Sequence, residues 1–197
     1  MFSLGVAASY HQPRPVDRPG RRRKWSSVPK NPEIRTRLDR AIRRLEAQRA
    51  CLDWAIREID QLPGIVIELG LGNGRSFDHL RAHMPEREIY VFERNPAAHP
   101  ACTPSADRLI IGKLEETLPA AQKRFAGKVA FLHSDIGTGD DDRNRRFAAW
   151  LGPELLPFLA PGAIVASDQK LEALVDFSIP PPAGVEADRY FLYRFKR

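Results

Sequence analysis

The feature that most constrains the fold is a short β-branched run that breaks into three alternating glycines. Residues 64–74 read GIVIELGLGNG, and a helix-like segment follows. The run 65–69 has the composition of a strand buried in a parallel sheet. Gly70 then permits a tight turn, Gly72 leaves the backbone bare for a ligand, and Gly74 allows the helix to pack closely on the strand. The segment therefore predicts a nucleotide-cofactor loop.

The spacing of the glycines narrows the class of cofactor. A dinucleotide fingerprint, G-x-G-x-x-G, would require glycine at position 75, where Arg75 stands. A second predicted strand, residues 87–93, ends in Glu93, nineteen positions after Gly74. An acidic side chain at about this distance accepts hydrogen bonds from ribose hydroxyl groups. Glu93 is therefore predicted to hold a ribose, and an ordinary glutamate at a strand end is the alternative.

Strands and helices alternate along the rest of the chain. Further strands are predicted at residues 108–111, 128–133 and 163–167, and helices at residues 75–84 and 141–159. Such alternation indicates a parallel sheet with helices on both faces.

The excess positive charge of the chain lies in its N-terminal third. Residues 1–60 contain 14 Lys and Arg against 7 Asp and Glu, whereas the whole chain contains 31 against 25. Five of the seventeen prolines lie within residues 13–32. Residues 1–31 are therefore predicted to be a basic, poorly ordered arm before a domain of residues 32–197. A solvated tail is the favoured interpretation, and contact with nucleic acid or acidic lipid is the alternative.

A long amphipathic helix is predicted to follow the arm. Apolar residues recur three, four or seven positions apart from Ile34 to Ile59, with arginines on the other face. Asn31 suits an N-cap, with Pro32 at the first helical position, and residues 63–64 (Pro-Gly) end the helix. We expect this helix to cover an edge or face of the sheet, and it also offers a surface for a homodimer.

Composition argues against several classes of protein. No apolar stretch reaches the roughly 18 residues of a membrane helix. The basic run at residues 21–24 is not followed by the apolar core of an export signal. The two cysteines have no spacing typical of a metal site or a disulfide framework. The chain is therefore expected to be cytoplasmic, without a membrane partner.

Residues 33–170 resemble a compact class I S-adenosylmethionine (SAM)-dependent methyltransferase. The first motif corresponds to Glu68–Gly74, the second to Glu93, the third to residues 112–114 and the fourth to residues 133–135. The chain is most similar to small single-domain bacterial methyltransferases of unknown substrate. This resemblance implies a doubly wound, mostly parallel α/β sheet of seven strands with the last strand antiparallel. Residues 174–179 and 190–195 would then form the final hairpin.

The resemblance also implies that SAM is the cofactor and indicates its contacts. The glycine loop and the following helix N-terminus would face the methionine portion of SAM. Residues after the third strand would hold the adenine. Lys113 stands where an aspartate is common, and because lysine cannot accept a hydrogen bond, Glu115 or a backbone carbonyl is expected to replace it. The predicted cofactor-binding residues are Glu68, Gly70, Leu71, Gly72, Asn73, Gly74, Glu93, Arg94, Lys113, Leu114, Ser134 and Asp135.

Candidate catalytic residues follow the fourth and fifth strands. Methyl transfer from a sulfonium is an in-line displacement, so the protein mainly aligns the acceptor, excludes water and provides a base where one is needed. Ligands bind at the carboxyl ends of such strands, where His133, Asp135 and Asp168 lie. Asp135 is predicted near the sulfonium and His133 as the base. A packed histidine at a strand end is the alternative for His133.

Two patterns resemble metal sites but depart from their motifs, so no metal ligand is predicted, and a magnesium site is the alternative. Asp135, Asp168 and Gln169 resemble the magnesium site of cation-dependent catechol-type O-methyltransferases, but that family has asparagine where Gln169 stands. His79 and His83 lie four positions apart on a predicted helix, without the intervening acid of a metalloprotease motif.

The motifs favour a small-molecule acceptor. The segment 134–137 (Ser-Asp-Ile-Gly) replaces the Asn/Asp-Pro-Pro-Tyr/Phe motif of enzymes that methylate exocyclic amines or glutamine amides. One alternative is an RNA or protein methyltransferase that docks its substrate on the basic arm. The other is a non-catalytic SAM-binding or nucleotide-binding protein whose arm and long helix contact a partner.

Overall fold

A computed structural model describes residues 36–196, and a seven-stranded sheet forms its centre. The strands are β1 (Ile65–Leu69), β2 (Ile89–Glu93), β3 (Leu109–Ile111), β4 (Val129–Ser134), β5 (Leu159–Ser167), β6 (Ser178–Ile179) and β7 (Phe191–Arg194). Their order is β3-β2-β1-β4-β5-β7-β6. Strands β1 to β5 are parallel, and β7 is antiparallel to both of its neighbours. The predicted doubly wound fold with one antiparallel strand is confirmed.

Four α-helices within residues 36–196 cover the two faces of the sheet. They are α1 (Arg37–Glu58), α2 (Arg75–His83), α3 (Leu114–Phe125) and α4 (Asp141–Leu155). One core joins α3 and α4 to the sheet side chains Ile67, Leu69 and Leu132. The other core joins α1 and α2 to the opposite side chains of the same strands, such as Val66 and Phe131. Because both faces of the strands are buried, the strands appear in the sequence as continuous apolar runs.

Helix α1 begins at Arg37, so the predicted start at Pro32 is wrong. Thr36 has an extended backbone and caps the helix: its hydroxyl accepts a hydrogen bond from Asp39 N (3.1 Å), and the Asp39 carboxylate accepts one from Thr36 N (2.9 Å). This reciprocal capping box fixes the first turn. The segment 31–35, with the predicted cap Asn31, and the arm 1–31 lie outside the described residues.

The predicted apolar face of α1 is buried only towards the C-terminal end, where Leu52 and Ile59 are buried as predicted. Leu38 and Ile42 belong to the predicted apolar face, but 67% and 44% of their surfaces are exposed. The helix instead contacts the sheet through a more C-terminal stripe that contains the small residues Ala47, Cys51 and Ala55. Small side chains allow close approach of the helix to the sheet, so they bury more completely than the larger residues of the first turns.

Within residues 36–196, none of the helices has both the length and the apolar character of a membrane span.

The predicted strand at residues 174–179 is mostly a 3₁₀ segment, Glu172–Phe177, and only residues 178–179 pair with β7. The 3₁₀ segment follows Leu171, whose backbone N–H donates to the Tyr193 hydroxyl (2.8 Å), and it buries Leu174 completely. Strand β5 also begins four residues earlier than predicted, because Leu159 already pairs with Val129.

Candidate functional site

The glycine loop joins β1 to α2 at the carboxyl edge of the sheet. Gly70 and Gly72 have φ angles of +86° and +50°, in the region that favours glycine. Gly70 N donates to Phe92 O (2.8 Å), which closes the turn against β2. A Cβ atom placed on Gly72 would meet nothing within 4 Å. The backbone at Gly72 therefore borders open space, as a ligand-binding turn requires.

Gly74 has a different neighbour from the one predicted. A Cβ atom at this position would overlap the carbonyl oxygen and the Cβ of Cys102. Cys102 ends the 3₁₀ segment Pro100–Cys102, which packs beside the first turn of α2. Gly74 is thus needed for close approach to this segment and not, as predicted, to the strand.

Glu93 ends β2 and is held by backbone N–H groups. Its Oε2 accepts hydrogen bonds from Leu71 N (2.8 Å) and Gly72 N (3.2 Å), and its Oε1 accepts one from Asn95 N (2.8 Å). Burial alone would raise the pKa of Glu93, but the hydrogen bonds from Asn95, Gly72 and Leu71 outweigh it and lower the pKa. Glu93 is therefore ionised at neutral pH, and two N–H groups predicted to face the methionine portion of SAM donate to Glu93 instead.

A cavity of about 430 Å³ opens beside Glu93. This volume lies within the range of about 300–1,000 Å³ that is typical of small-molecule sites. Five predicted cofactor residues line the cavity: Gly70, Glu93, Arg94, Lys113 and Leu114. Glu115, the expected replacement for the adenine acceptor, lies there too. Sequence analysis missed Phe92 and Phe147, the aromatic side chains of the lining, because each is indistinguishable from an ordinary core residue in the sequence.

The remaining predicted cofactor residues are placed around this cavity or in the core beneath it. Glu68 and Ser134 end neighbouring strands and are fully buried. Within the described part of the chain, Glu68 Oε2 and Ser134 Oγ have no hydrogen-bond partner. Buried polar atoms are rarely left unpaired in native proteins. Both atoms are fully enclosed and do not border the cavity, whereas Asn73 lies exposed in the glycine loop.

His133 lies in a buried polar chain and not at the surface. Its Nε2 is 2.6 Å from the Tyr190 hydroxyl, and its Nδ1 is 3.4 Å from Glu68 Oε1. Ser76 Oγ donates to the same Glu68 oxygen. Burial, followed by the charges of Asp135 and Asp168, raises the pKa of Tyr190 far above its ordinary value. Tyr190 therefore keeps its proton, and its hydroxyl shares a hydrogen bond with His133 Nε2.

Asp135 follows β4 and is attached to α1. Its Oδ2 accepts hydrogen bonds from Arg44 Nη1 (2.9 Å) and Gln48 Nε2 (2.7 Å). The sequence assigned α1 to one face or edge of the sheet, but it gave no signal that two side chains of α1 reach the end of β4. Helix α1 thus lies over the carboxyl ends of the strands, where the candidate catalytic residues are.

The glycine loop, the strand-end glutamate and the cavity between them indicate a cofactor site, and comparison with known proteins agrees with this. A family model described as S-adenosyl-L-methionine methyltransferase matches residues 35–195. The chain belongs to this family. SAM is therefore its cofactor, and the alternative of a non-catalytic nucleotide-binding protein is set aside.

Solved structures support the assignment. The crystal structure of an S-adenosyl-L-methionine methyl transferase from Silicibacter pomeroyi DSS-3 has 44% sequence identity and a TM-score of 0.76, and the match covers 82% of this chain and 99% of that one. Human methyltransferase-like protein 13 in complex with SAH has 11% identity and a TM-score of 0.53, with 77% and 81% of the two chains covered. At that identity the similarity shows the fold alone. None of the curated proteins compared with the chain matches it significantly.

The magnesium hypothesis concerns the carboxylates of Asp135, which follows β4, and Asp168, which follows β5. Asp168 accepts hydrogen bonds from Gly137 N (2.8 Å), Ile136 N (3.3 Å) and the Gln169 amide nitrogen (3.1 Å). Asp135 accepts from Arg44 and Gln48, as described above. Protein donors thus occupy both carboxylates, and Gln169 presents its amide nitrogen to Asp168. This arrangement does not favour the magnesium hypothesis.

The environment of Asp168 favours its protonated form. Burial, followed by the nearby charge of Asp135, raises the pKa of Asp168 above the ordinary value of 3.8. A carboxylate with a raised pKa is a stronger base than an ordinary aspartate. Asp168 is therefore better suited to accept a proton than sequence analysis suggested, whereas His133 has no exposed surface with which to meet a substrate.

Proposed function

We propose that this SAM-dependent methyltransferase methylates a small polar molecule that binds at the ends of β4 and β5, beneath α1. The observation that carries the proposal is the attachment of α1 to Asp135 through Arg44 and Gln48. An RNA strand or a folded protein would have to displace a helix that is held in this position. The polar side chains at this end, Asp135, Asp168 and Gln169, suit an acceptor that forms hydrogen bonds.

Different residues of the site have different roles in the reaction. SAM supplies an activated methyl group on a positively charged sulfur. Glu93 and the glycine loop hold the nucleoside, and Asp135 contributes negative charge near the sulfonium. We assign to Asp168 the acceptance of a proton from the acceptor's nucleophile at Oδ1, which has the weaker of the backbone hydrogen bonds to Asp168. His133, which was predicted as the base, holds Tyr190 in place instead.

The assignment of Asp168 predicts a pH dependence. Because the base must be ionised and its pKa is raised, kcat/KM should fall, as the pH is lowered, at a higher pH than an ordinary aspartate would show. An Asp168→Asn variant should lose at least about 100-fold in kcat and retain its affinity for SAM. A pH profile of kcat/KM for both proteins tests the assignment. An unchanged profile in Asp168→Asn would exclude Asp168 as the base.

The class of acceptor is tested with methyl-labelled SAM. Purified protein is incubated with a bacterial extract that has been divided into a low-molecular-mass filtrate and a macromolecular fraction, the latter with and without nuclease or protease treatment. We expect label to be transferred in the filtrate. The Gly72→Arg variant, in which a side chain enters the cofactor space, is the matched negative control. Label confined to nuclease-sensitive or protease-sensitive material would contradict a small-molecule acceptor.

The charge distribution supports one other candidate, an RNA or protein substrate docked on the N-terminal arm. Residues 1–60 carry the whole positive excess of the chain. If the arm docks a polyanion, deletion of residues 1–31 should weaken substrate binding strongly at low salt and progressively less at high salt. If the acceptor is a small molecule, the deletion should leave KM for the acceptor unchanged at all salt concentrations.

A further inference from the structure

Three side chains with metal-binding chemistry meet where α1 packs on α2, outside the cofactor cavity. His79 and His83 lie one turn apart on α2, and their ring centroids are 4.2 Å apart. Asp53 of α1 places Oδ1 at 2.7 Å from His79 Nε2. One potential ligand atom from each residue lies within 4.8 Å of the other two. We propose that Asp53, His79 and His83 bind a divalent transition-metal ion of the zinc class.

The hydrogen bond of His83 prepares that residue for binding a metal. Its Nδ1 lies 2.8 Å from the backbone oxygen of His79. Because a carbonyl oxygen only accepts hydrogen bonds, Nδ1 carries the proton and Nε2 of the neutral ring keeps its lone pair. A backbone carbonyl that orients the second ring nitrogen is typical of metal-binding histidines.

The cluster is accessible, and its side chains can adjust. His79 and Asp53 keep 20% and 37% of their side-chain surfaces exposed, and His83 is exposed. In a tetrahedral site with metal–ligand bonds of about 2.0–2.2 Å, neighbouring ligand atoms are about 3.3 Å apart. The distance between His79 Nε2 and Asp53 Oδ1 must therefore increase slightly. The two ligand atoms that lie farthest apart must approach each other by somewhat more than 1 Å. Rotations of the exposed Asp53 and His83 side chains provide both movements.

The set of ligands selects the class of ion. Two imidazole nitrogens and one carboxylate oxygen are typical of Zn²⁺ and its neighbours Co²⁺ and Ni²⁺, whereas Mg²⁺ and Ca²⁺ require mostly oxygen ligands. Three protein ligands leave the fourth position to water. A bound ion would join α1 to α2. Helix α1 hydrogen-bonds Asp135 through Arg44 and Gln48, and α2 follows the glycine loop. We therefore expect it to stabilise the helix pair that borders the cofactor site.

Zinc binding by the metal-free, untagged full-length chain tests this proposal. Calorimetric titration with ZnCl₂ should show one equivalent bound, and titration with MgCl₂ should show none. The His83→Ala and Asp53→Asn variants should each bind Zn²⁺ at least about tenfold more weakly. His99→Ala, which removes an exposed histidine outside the cluster, should bind like the parent protein. Zn²⁺ should also raise Tm by a few °C in the parent and His99→Ala proteins, but not in His83→Ala.

Cobalt gives a second measurement that does not depend on stability. Co²⁺ bound in the tetrahedral site should produce visible absorption bands that Zn²⁺ displaces, and these bands should be absent in His83→Ala. The proposal is overturned if the parent protein binds no Zn²⁺. It is also overturned if His83→Ala and Asp53→Asn bind Zn²⁺ with unchanged affinity, because the ion would then lie elsewhere and the three side chains would form an ordinary histidine–aspartate contact.

Discussion

Glu93 connects the second strand to the glycine loop at the scale of a single residue. Its carboxylate accepts three backbone hydrogen bonds, two of them from the loop. The same side chain is expected to hold the ribose of SAM, so stability and cofactor binding depend on one group. A residue with both roles cannot be recognised from its position after a strand, because the sequence shows the carboxylate but not the N–H groups that reach it.

Replacement of Glu93 should show a characteristic pH dependence. Because the folded pKa lies below the ordinary value of 4.5, the ionised carboxylate stabilises the fold above about pH 4.5, and this contribution is lost as the pH falls through the folded pKa. Glu93→Gln should therefore lower the free energy of unfolding by about 1–3 kcal/mol at pH 7. Urea denaturation at pH 7 and at about pH 3.5 should show the difference narrowing at the acidic pH. A difference that is equal at both pH values would refute the role of the charge.

The hydroxyl of Tyr190 should matter more for stability than that of Tyr90, whose hydrogen bond is weaker. Tyr190→Phe leaves the buried Nε2 of His133 without its partner, which should cost about 1–3 kcal/mol of stability. Tyr90→Phe is the matched control, because the Tyr90 hydroxyl accepts only a 3.2 Å hydrogen bond from Arg124 at a partly buried position. Urea unfolding of both variants provides the comparison. Equal losses would show that the chain from Glu68 to Tyr190 is not stabilising.

Local patterns predicted most elements of the fold. The β-branched runs of β1, β2 and β4 end at glycine or at charged residues, so their limits were predicted within about two residues. The start of α1 was missed because Pro32 imitates a first helical residue, whereas the Thr36 capping box is the signal that decides it. The predicted strand at residues 174–179 is mostly a 3₁₀ segment, because its apolar residues suit either structure until the contact between Leu171 and Tyr193 is known.

The capping box of α1 can be tested directly. Thr36→Ala removes the acceptor for Asp39 N and should destabilise the protein by about 1 kcal/mol. Thr36→Ser retains the hydroxyl and should remain within a few tenths of a kcal/mol of the parent. Amide hydrogen exchange should be faster in the first turn of α1 in Thr36→Ala only. If amide hydrogen exchange in the first turn were the same in both variants, the helix would have to start elsewhere than at the Thr36 cap.

At the scale of the whole molecule, the long-range contacts explain why the site was only partly predictable. The glycine loop and Glu93 form a motif with fixed spacing and were identified from the sequence. The contacts of Asp135 with Arg44 and of His133 with Tyr190 join residues 91 and 57 positions apart. Asp53 and His79 are also distant, at 26 positions. No local pattern encodes such pairs, since they depend on how α1 and β7 pack against the sheet.

SAM is expected to bind at the glycine loop beside Glu93. The most direct test is calorimetric titration of the full-length protein and its Gly72→Arg variant with SAM, its demethylated product SAH, and NAD. A Cβ atom at Gly72 has open space around it, so the arginine should fill the cofactor site and leave the circular dichroism spectrum unchanged. We predict that the parent protein binds one equivalent of SAM and of SAH but not NAD, and that the variant binds none of them. Unchanged SAM affinity in a folded Gly72→Arg protein would show that the cofactor binds elsewhere.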